Sequence, residues 1–151
     1  MILIPEFKTY LAEKKEQLPL VNFCRAVVKE EEVTRFLQQV KASDNQIMMG
    51  IMPDARSTAR DEDNIKMNNA TGFLFLEKTD YGADKYDQWM DVFQRTQESA
   101  VAFVRQIIQD KSFGNCDFVQ YLDLNNISLE PVSGLGSCSG WIVEVYFDTP
   151  F

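Results

Sequence analysis

Apolar residues along the 151-residue chain fall into blocks whose spacing switches between helical and alternating. Phe7, Tyr10 and Leu11 recur at i, i+3 and i+4 in a stretch rich in Glu and Lys that runs to Gln17. That spacing predicts a short amphipathic helix, ended by Pro19. Leu20–Val28 is apolar and β-branched, and its periodicity leaves strand and helix both open. Val33, Phe36, Leu37 and Val40 share one helical face, which predicts a second helix over about Glu30–Lys41. Ser43-Asp44-Asn45 then breaks the pattern with turn residues.

Gln46–Met52 is a run of Ile and Met closed by Pro53 and predicts a strand. Thr71–Lys78 predicts another, and Phe73, Leu74, Phe75 and Leu76 in succession imply that both its faces are covered. Between them, the sixteen residues Asp54–Asn69 hold four acids, three bases and little that is apolar. They read as the long polar loop of an extended hairpin, and a loop of that length in a compact domain is usually functional or disordered. Tyr81-Gly82-Ala83-Asp84 marks a turn, and a long helix over about Lys85–Lys111 follows. Its stripe is Tyr86, Trp89, Met90, Phe93, Ala100, Val104, Ile107 and Ile108, and such a stripe is core far more often than a cofactor box. Asp84, Asp87 and Asp91 near its start and Lys111 at its end suit the helix dipole.

Phe118–Leu129 reads as a long strand with a change of phase. Phe118, Leu122 and Leu124 occupy even positions, Ile127 and Leu129 odd ones, so a bulge or bend is expected at Asn125-Asn126. Ser133–Ser139 is a glycine-rich connection. In the closing strand, Gly140–Thr149, Trp141, Val143, Val145 and Phe147 point one way and Ile142, Glu144, Tyr146 and Asp148 the other. The expectation is a single α+β domain over residues 1–151, with a helical N-terminal part (1–45) and a hairpin–helix–hairpin part (46–151). An antiparallel sheet built from the two hairpins would pack on the long central helix, beside one or two N-terminal helices.

Charge sharpens this picture. Fifteen Lys and Arg stand against 23 Asp and Glu, a net charge of −8. From Ser112 onward there is no Lys or Arg, only Asp117, Asp123, Glu130, Glu144 and Asp148. These five form a candidate acidic face, which repels phosphate and argues against nucleic-acid binding by the C-terminal part. It reads either as a solvated face that keeps the protein soluble or as a surface meant to meet a polyanion without sticking to it. No apolar run approaches the ~20 residues that span a bilayer. The opening Met1-Ile2-Leu3-Ile4-Pro5-Glu6 has no basic start and no full apolar stretch, so no signal peptide is expected.

Chemistry is sparse. The chain has no histidine, which removes Ser-His and Cys-His nucleophilic catalysis and the common zinc sites. Cys24, Cys116 and Cys138 are odd in number and far apart, which predicts reduced thiols and neither a disulfide framework nor a metal knuckle. Gly136-Ser137-Cys138-Ser139-Gly140 imitates a nucleophile elbow, but a strand follows it and no histidine could act as base. Asp61-Glu62-Asp63-Asn64 could ligate a hard cation. It lacks the glycine and bidentate Glu of an EF-hand loop, and Arg56, Arg60 and Lys66 already offset part of its charge, so a solvated loop is favoured. No enzymatic activity, cofactor or metal is expected.

The distinctive part is the C-terminal third. A strand through Asn126-Ile127-Ser128-Leu129-Glu130-Pro131-Val132, a Gly/Ser-rich connection and then Ser139-Gly140-Trp141-Ile142-Val143-Glu144-Val145-Tyr146-Phe147 resembles small bacteriophage and prophage structural proteins of the tail-completion or tail-terminator type. The resemblance covers about residues 46–151. It implies a ring of identical subunits, often six, at the end of a tail tube or at the head–tail joint. The partners would be other copies of the chain and other tail or neck proteins, with no membrane and no sequence-specific nucleic acid. The protein would reside in the bacterial host cytoplasm during assembly and then in the virion tail or neck. Asp54, Arg56, Arg60, Asp61, Glu62, Asp63 and Lys66 would form an assembly loop that orders against a neighbour, and the acidic face would suit a lumen through which DNA slides.

Two other readings compete. An acidic cytosolic adaptor or inhibitor would use the same face to attract a basic protein partner. An enzyme or small-ligand carrier would need an apolar pocket behind the long helix.

Overall fold

A computed structural model describes residues 1–28, 30–59, 63–79, 86–114 and 118–151, with Glu30 and Glu31 described by backbone alone. The chain is α+β, with a mostly antiparallel sheet and a long helix packed on it. The turn at 81–84 and the helix start at Lys85, like Asp84, Cys116 and Asp117, lie outside the described residues.

Helix α1 is Ile4–Glu16; Pro5 fits its first turn because the amide hydrogen it lacks would have no helical partner there. Phe7, Tyr10, Leu11 and Lys14 form its buried stripe. Residues 20–28 resolve as strand β1 (Val21–Val27), which pairs in parallel with β2 (Gln46–Ile51). The expected helical N-terminal part therefore contributes a strand to the sheet, and the sheet is not wholly antiparallel. The link from β1 to β2 carries α2 (Glu30–Leu37). That helix stops four residues before the expected Lys41, and a turn and a short 3-10 segment at Ala42–Asp44 follow.

The spine of the sheet is β4 (Lys66–Lys78), which pairs along its whole length with β6 (Cys138–Pro150). Strand β5 (Leu122–Leu135) lies outside β6, giving the order β1-β2-β4-β6-β5. The strand expected from Phe118 begins instead at Leu122, after a short 3-10 turn at Val119–Tyr121. Five steps from Leu122 to Ile127 face two steps from Phe147 to Val145, so the irregularity sits where the phase change placed it. The expected long connection after β5 shrinks to the two residues Gly136 and Ser137. Their φ values of 54° and 64° match a hairpin turn whose twist follows that of the strands.

Both faces of the central strands are covered. Helices α1 and α3 (Tyr86–Phe113) lie over Met48, Phe73, Phe75, Val143, Val145 and Phe147. Helix α2 lies over Ile47, Met49, Leu74 and Leu76 on the other face. Phe103 is the centre of the α3 contact, with ring centroids 4.5 Å from Phe73 and 5.5 Å from Phe75. Of the expected stripe, Ala100 and Ile107 are buried and Trp89, Phe93 and Val104 half-buried, while Tyr86, Met90 and Ile108 are exposed; Val92, Thr96, Ser99 and Phe103 widen the buried face. Two polar residues can face inward because each finds an acceptor, Ser99 Oγ donating to Gln46 Oε1 at 2.6 Å and Thr96 Oγ1 to the Val92 carbonyl at 2.6 Å. Among the described residues no helix is long and apolar enough to cross a membrane.

Candidate functional site

Helix α2 covers only one end of its face of the sheet. Side chains alternate across a strand and paired residues share a side, so the register assigns every residue to a face. The rows beyond α2 carry Glu130 opposite Ile142, Ser128 opposite Glu144 opposite Gly72, Tyr146 opposite Ala70, and Asp148 opposite Asn68. Three of the five predicted acids, Glu130, Glu144 and Asp148, thus stand on the one face that α2 covers only in part. Two are tied to neighbours: Asn68 Nδ2 donates to Asp148 Oδ1 at 2.8 Å and Ser128 Oγ to Glu144 Oε2 at 3.4 Å.

Asp123 does not join them. It sits in the irregular turn of β5 and accepts hydrogen bonds from the Asn125 backbone at 2.9 Å and from the Asn126 side chain. Those donors, the backbone amide first, hold its carboxyl below the usual range, with the Lys111 charge a lesser cause. Its role is to hold the bend.

The predicted assembly loop needs a larger correction. Lys66–Asn69 belong to β4, and Arg56 and Ser57 form a short strand, β3, opposite Asn68 and Met67. Asp54 closes the start of this ribbon: its carboxylate accepts the Ala70 amide at 3.2 Å, and its own amide donates to the Ala70 carbonyl at 3.1 Å. Thr58 donates to the Lys66 carbonyl at 3.0 Å. Backbone pairing claims these residues because β6 leaves the other edge of β4 free to take a partner. Of the residues between Thr58 and β4, Ala59, Asp63, Asn64 and Ile65 are described and belong to no strand. Asp63 is exposed there, and Arg60, Asp61 and Glu62 lie outside the described residues.

The ribbon joins what the sequence kept apart. Arg56 and Lys66 fall on the same face as the acid row, because Arg56 pairs with Asn68 and Lys66 with Pro150. Arg56 Nε approaches Asp54 Oδ2 at 3.7 Å, a loose and exposed pair. The surface is an acidic band with two cations at its rim.

Cys138 is fully buried, and burial pushes its thiol up to about 11, against a smaller opposing pull from Lys78. Gly136 and Ser137 join two strands, so the strand–turn–helix geometry of a nucleophile elbow is not formed there. No group of three Cys, Asp or Glu that could hold a metal ion occurs among the described residues.

Sequence reasoning missed one feature, a cleft of about 460 Å³ between β1 and α2. Phe23 and Phe36 stack there with centroids 5.5 Å apart and planes 19° from parallel. The Arg25 guanidinium lies 4.7 Å from the Phe36 centroid. Assigning Leu20–Val28 to a strand would have placed Phe23 and Arg25 on one face of it. In comparison with known proteins, the sequence matches no protein family and no curated protein.

Proposed function

We propose that the protein is a structural, ring-forming subunit of a phage or prophage particle, placed at the end of the tail tube or at the head–tail joint. The observation that carries this reading is the half-bare sheet face with Glu130, Glu144 and Asp148 in register. A scaffold of helices on both faces of the sheet presents that band, with the exposed Asp63 beyond the end of the β3–β4 ribbon. A band of this sign lets a polyanion pass without adhering, and the cations Arg56 and Lys66 at its rim suit contact with the acidic part of a neighbour. The protein would act in the host cytoplasm during assembly and remain in the tail or neck, with no catalytic step and no cofactor.

The test is light scattering of the protein alone, and electron microscopy after mixing with isolated tail tubes. At micromolar concentration a monomer or weak oligomer is expected, and rings at tube ends after mixing. A tight, concentration-independent dimer would count against the ring. Capture of one stoichiometric basic host protein, with no binding to tubes, would favour the acidic adaptor instead.

A further inference from the structure

The ring reading leaves open how one subunit meets the next. Strands β1 and β5 end the sheet on opposite sides, and neither pairs with another strand on its outer side among the described residues. A strand with unpaired amides and carbonyls is a template for a further strand. We infer that the β1 edge of one copy takes the β5 edge of a second copy, head to tail, with Arg25 set against Glu130. The inference deepens the ring reading and rests on it.

Direction and facing agree. Strand β1 runs parallel to β2, and three successive antiparallel steps lead to β5, so β1 and β5 run in opposite directions. A second copy brought alongside therefore pairs antiparallel with its sheet faces kept. On the face that α2 partly covers, β1 offers Phe23 and Arg25, which register with Ile47 and Met49, and β5 offers Ser128 and Glu130. On the opposite face β1 offers Cys24 and Ala26 and β5 offers Ile127 and Leu129, so apolar side chains meet apolar ones.

Charge makes the match directional. Arg25 and Arg35, which line a second, smaller cleft of about 230 Å³ between β1 and α2, form no ion pair among the described residues. Glu32, their acidic neighbour in the cleft, accepts the Val28 amide at 2.9 Å. Strand β1 carries one base and no acid, and β5 carries two acids and no base. Two β1 edges would repel, as would two β5 edges. Only the unlike pair is attractive, and a contact between unlike surfaces closes into a ring or extends as a filament.

The contact is short, which fits a protein that associates only when concentrated or templated. The irregular turn at 123–126 and Pro131, which has no amide hydrogen, confine regular pairing on β5 to about Ile127–Glu130. The exposed Phe23 and the cleft next to it extend the contact beyond those four residues.

Sedimentation velocity over a concentration series, on the full chain with Arg25→Glu, Glu130→Lys and the double variant, tests the inference. Each single reversal should weaken self-association by roughly tenfold, because it sets like charges face to face. The double variant should recover most of that loss. An equimolar mixture of the two single variants should associate far better than either alone, since native junctions between Arg25 and Glu130 alternate with the swapped pair that the double variant carries. Both positions are exposed, so Glu130→Lys should melt with the wild type and Arg25→Glu slightly below it, for loss of the contact with Phe36. If the wild type associates and the reversals leave its association unchanged, or the double variant is no better than the singles, the edge assignment is overturned while the ring stands. If the wild type associates neither when concentrated nor on tail tubes, both fall.

Discussion

Helices α1 and α3 are locked together by a buried ion pair, and removing one partner should cost more than removing both. Lys14 Nζ meets Asp110 Oδ2 with side-chain exposures of 4% and 14%. Tyr10 Oη donates to the same carboxylate oxygen at 2.9 Å, and Lys14 also donates to Gln17 Oε1 at 3.0 Å. Replacing Asp110 with Asn leaves a buried ammonium without its counter-charge, a change that costs about 3–5 kcal/mol in general. Gln17 remains as an acceptor, so the low end, about 3 kcal/mol, is expected. In a chain of this size that is a fall of roughly 6–12 °C in Tm. Lys14→Met with Asp110→Asn removes the stranded charge and keeps an apolar stem in the same space, so the double variant should lose only about 1 kcal/mol. Differential scanning calorimetry on the three variants and the double-mutant cycle give both values. A double variant less stable than Asp110→Asn alone would refute the reasoning, as would Asp110→Asn melting within about 2 °C of wild type.

Gly140→Ala should destabilise by about 3 kcal/mol, measured by urea denaturation, since its Cβ would lie 1.9 Å from the Phe75 carbonyl oxygen. Cys138 should resist iodoacetamide at pH 8 in the folded protein and react after unfolding, as read by peptide mass spectrometry. The folded thiol ionises near 11 and the unfolded one near its ordinary 9.0, so its contribution to stability should fall as pH rises between those values. Replacing residues 59–64 with a short Gly-containing turn should change stability by about 1 kcal/mol or less in a thermal melt, because loop-closure entropy varies slowly with length. Extending the deletion back through Asp54 should cost more, since it removes the pairing of β3 and both hydrogen bonds to Ala70.

Local signals carried most of the fold. The alternation of Trp141–Asp148 places Val143, Val145 and Phe147 in the core and leaves Glu144 and Asp148 outside it, as written in the sequence. The apolar run Phe73–Leu76 is covered on both faces. Partner-dependent features were not legible. Val21–Val27 becomes a strand because β2 offers it an edge, and no local periodicity encodes that parallel partner. The burial of Ser99 and Thr96 on α3 depends on their acceptors, one of them Gln46, 53 residues away in sequence. The polar segment Asp54–Asn69 looked structureless by composition, yet backbone hydrogen bonds, indifferent to side-chain type, draw its ends into the sheet. Of the candidate site, Glu144 and Asp148 were readable as a pair because strand alternation fixes their face, whereas Asp123, grouped with them by charge, is drawn into the bend of β5. The nearness of Arg56 and Lys66 to that pair follows only from the register.

The most direct measurement is complementation of the genetic element that encodes the chain, deleted for it, with tailed particles counted by electron microscopy. The wild-type protein should restore complete particles. The variant with residues 59–64 replaced, still folded by its thermal melt, should yield heads and tails that fail to join or tails of wrong length. Full rescue by that stable variant would contradict a role for the segment in assembly, and complete particles in the deletion strain itself would contradict the structural role altogether.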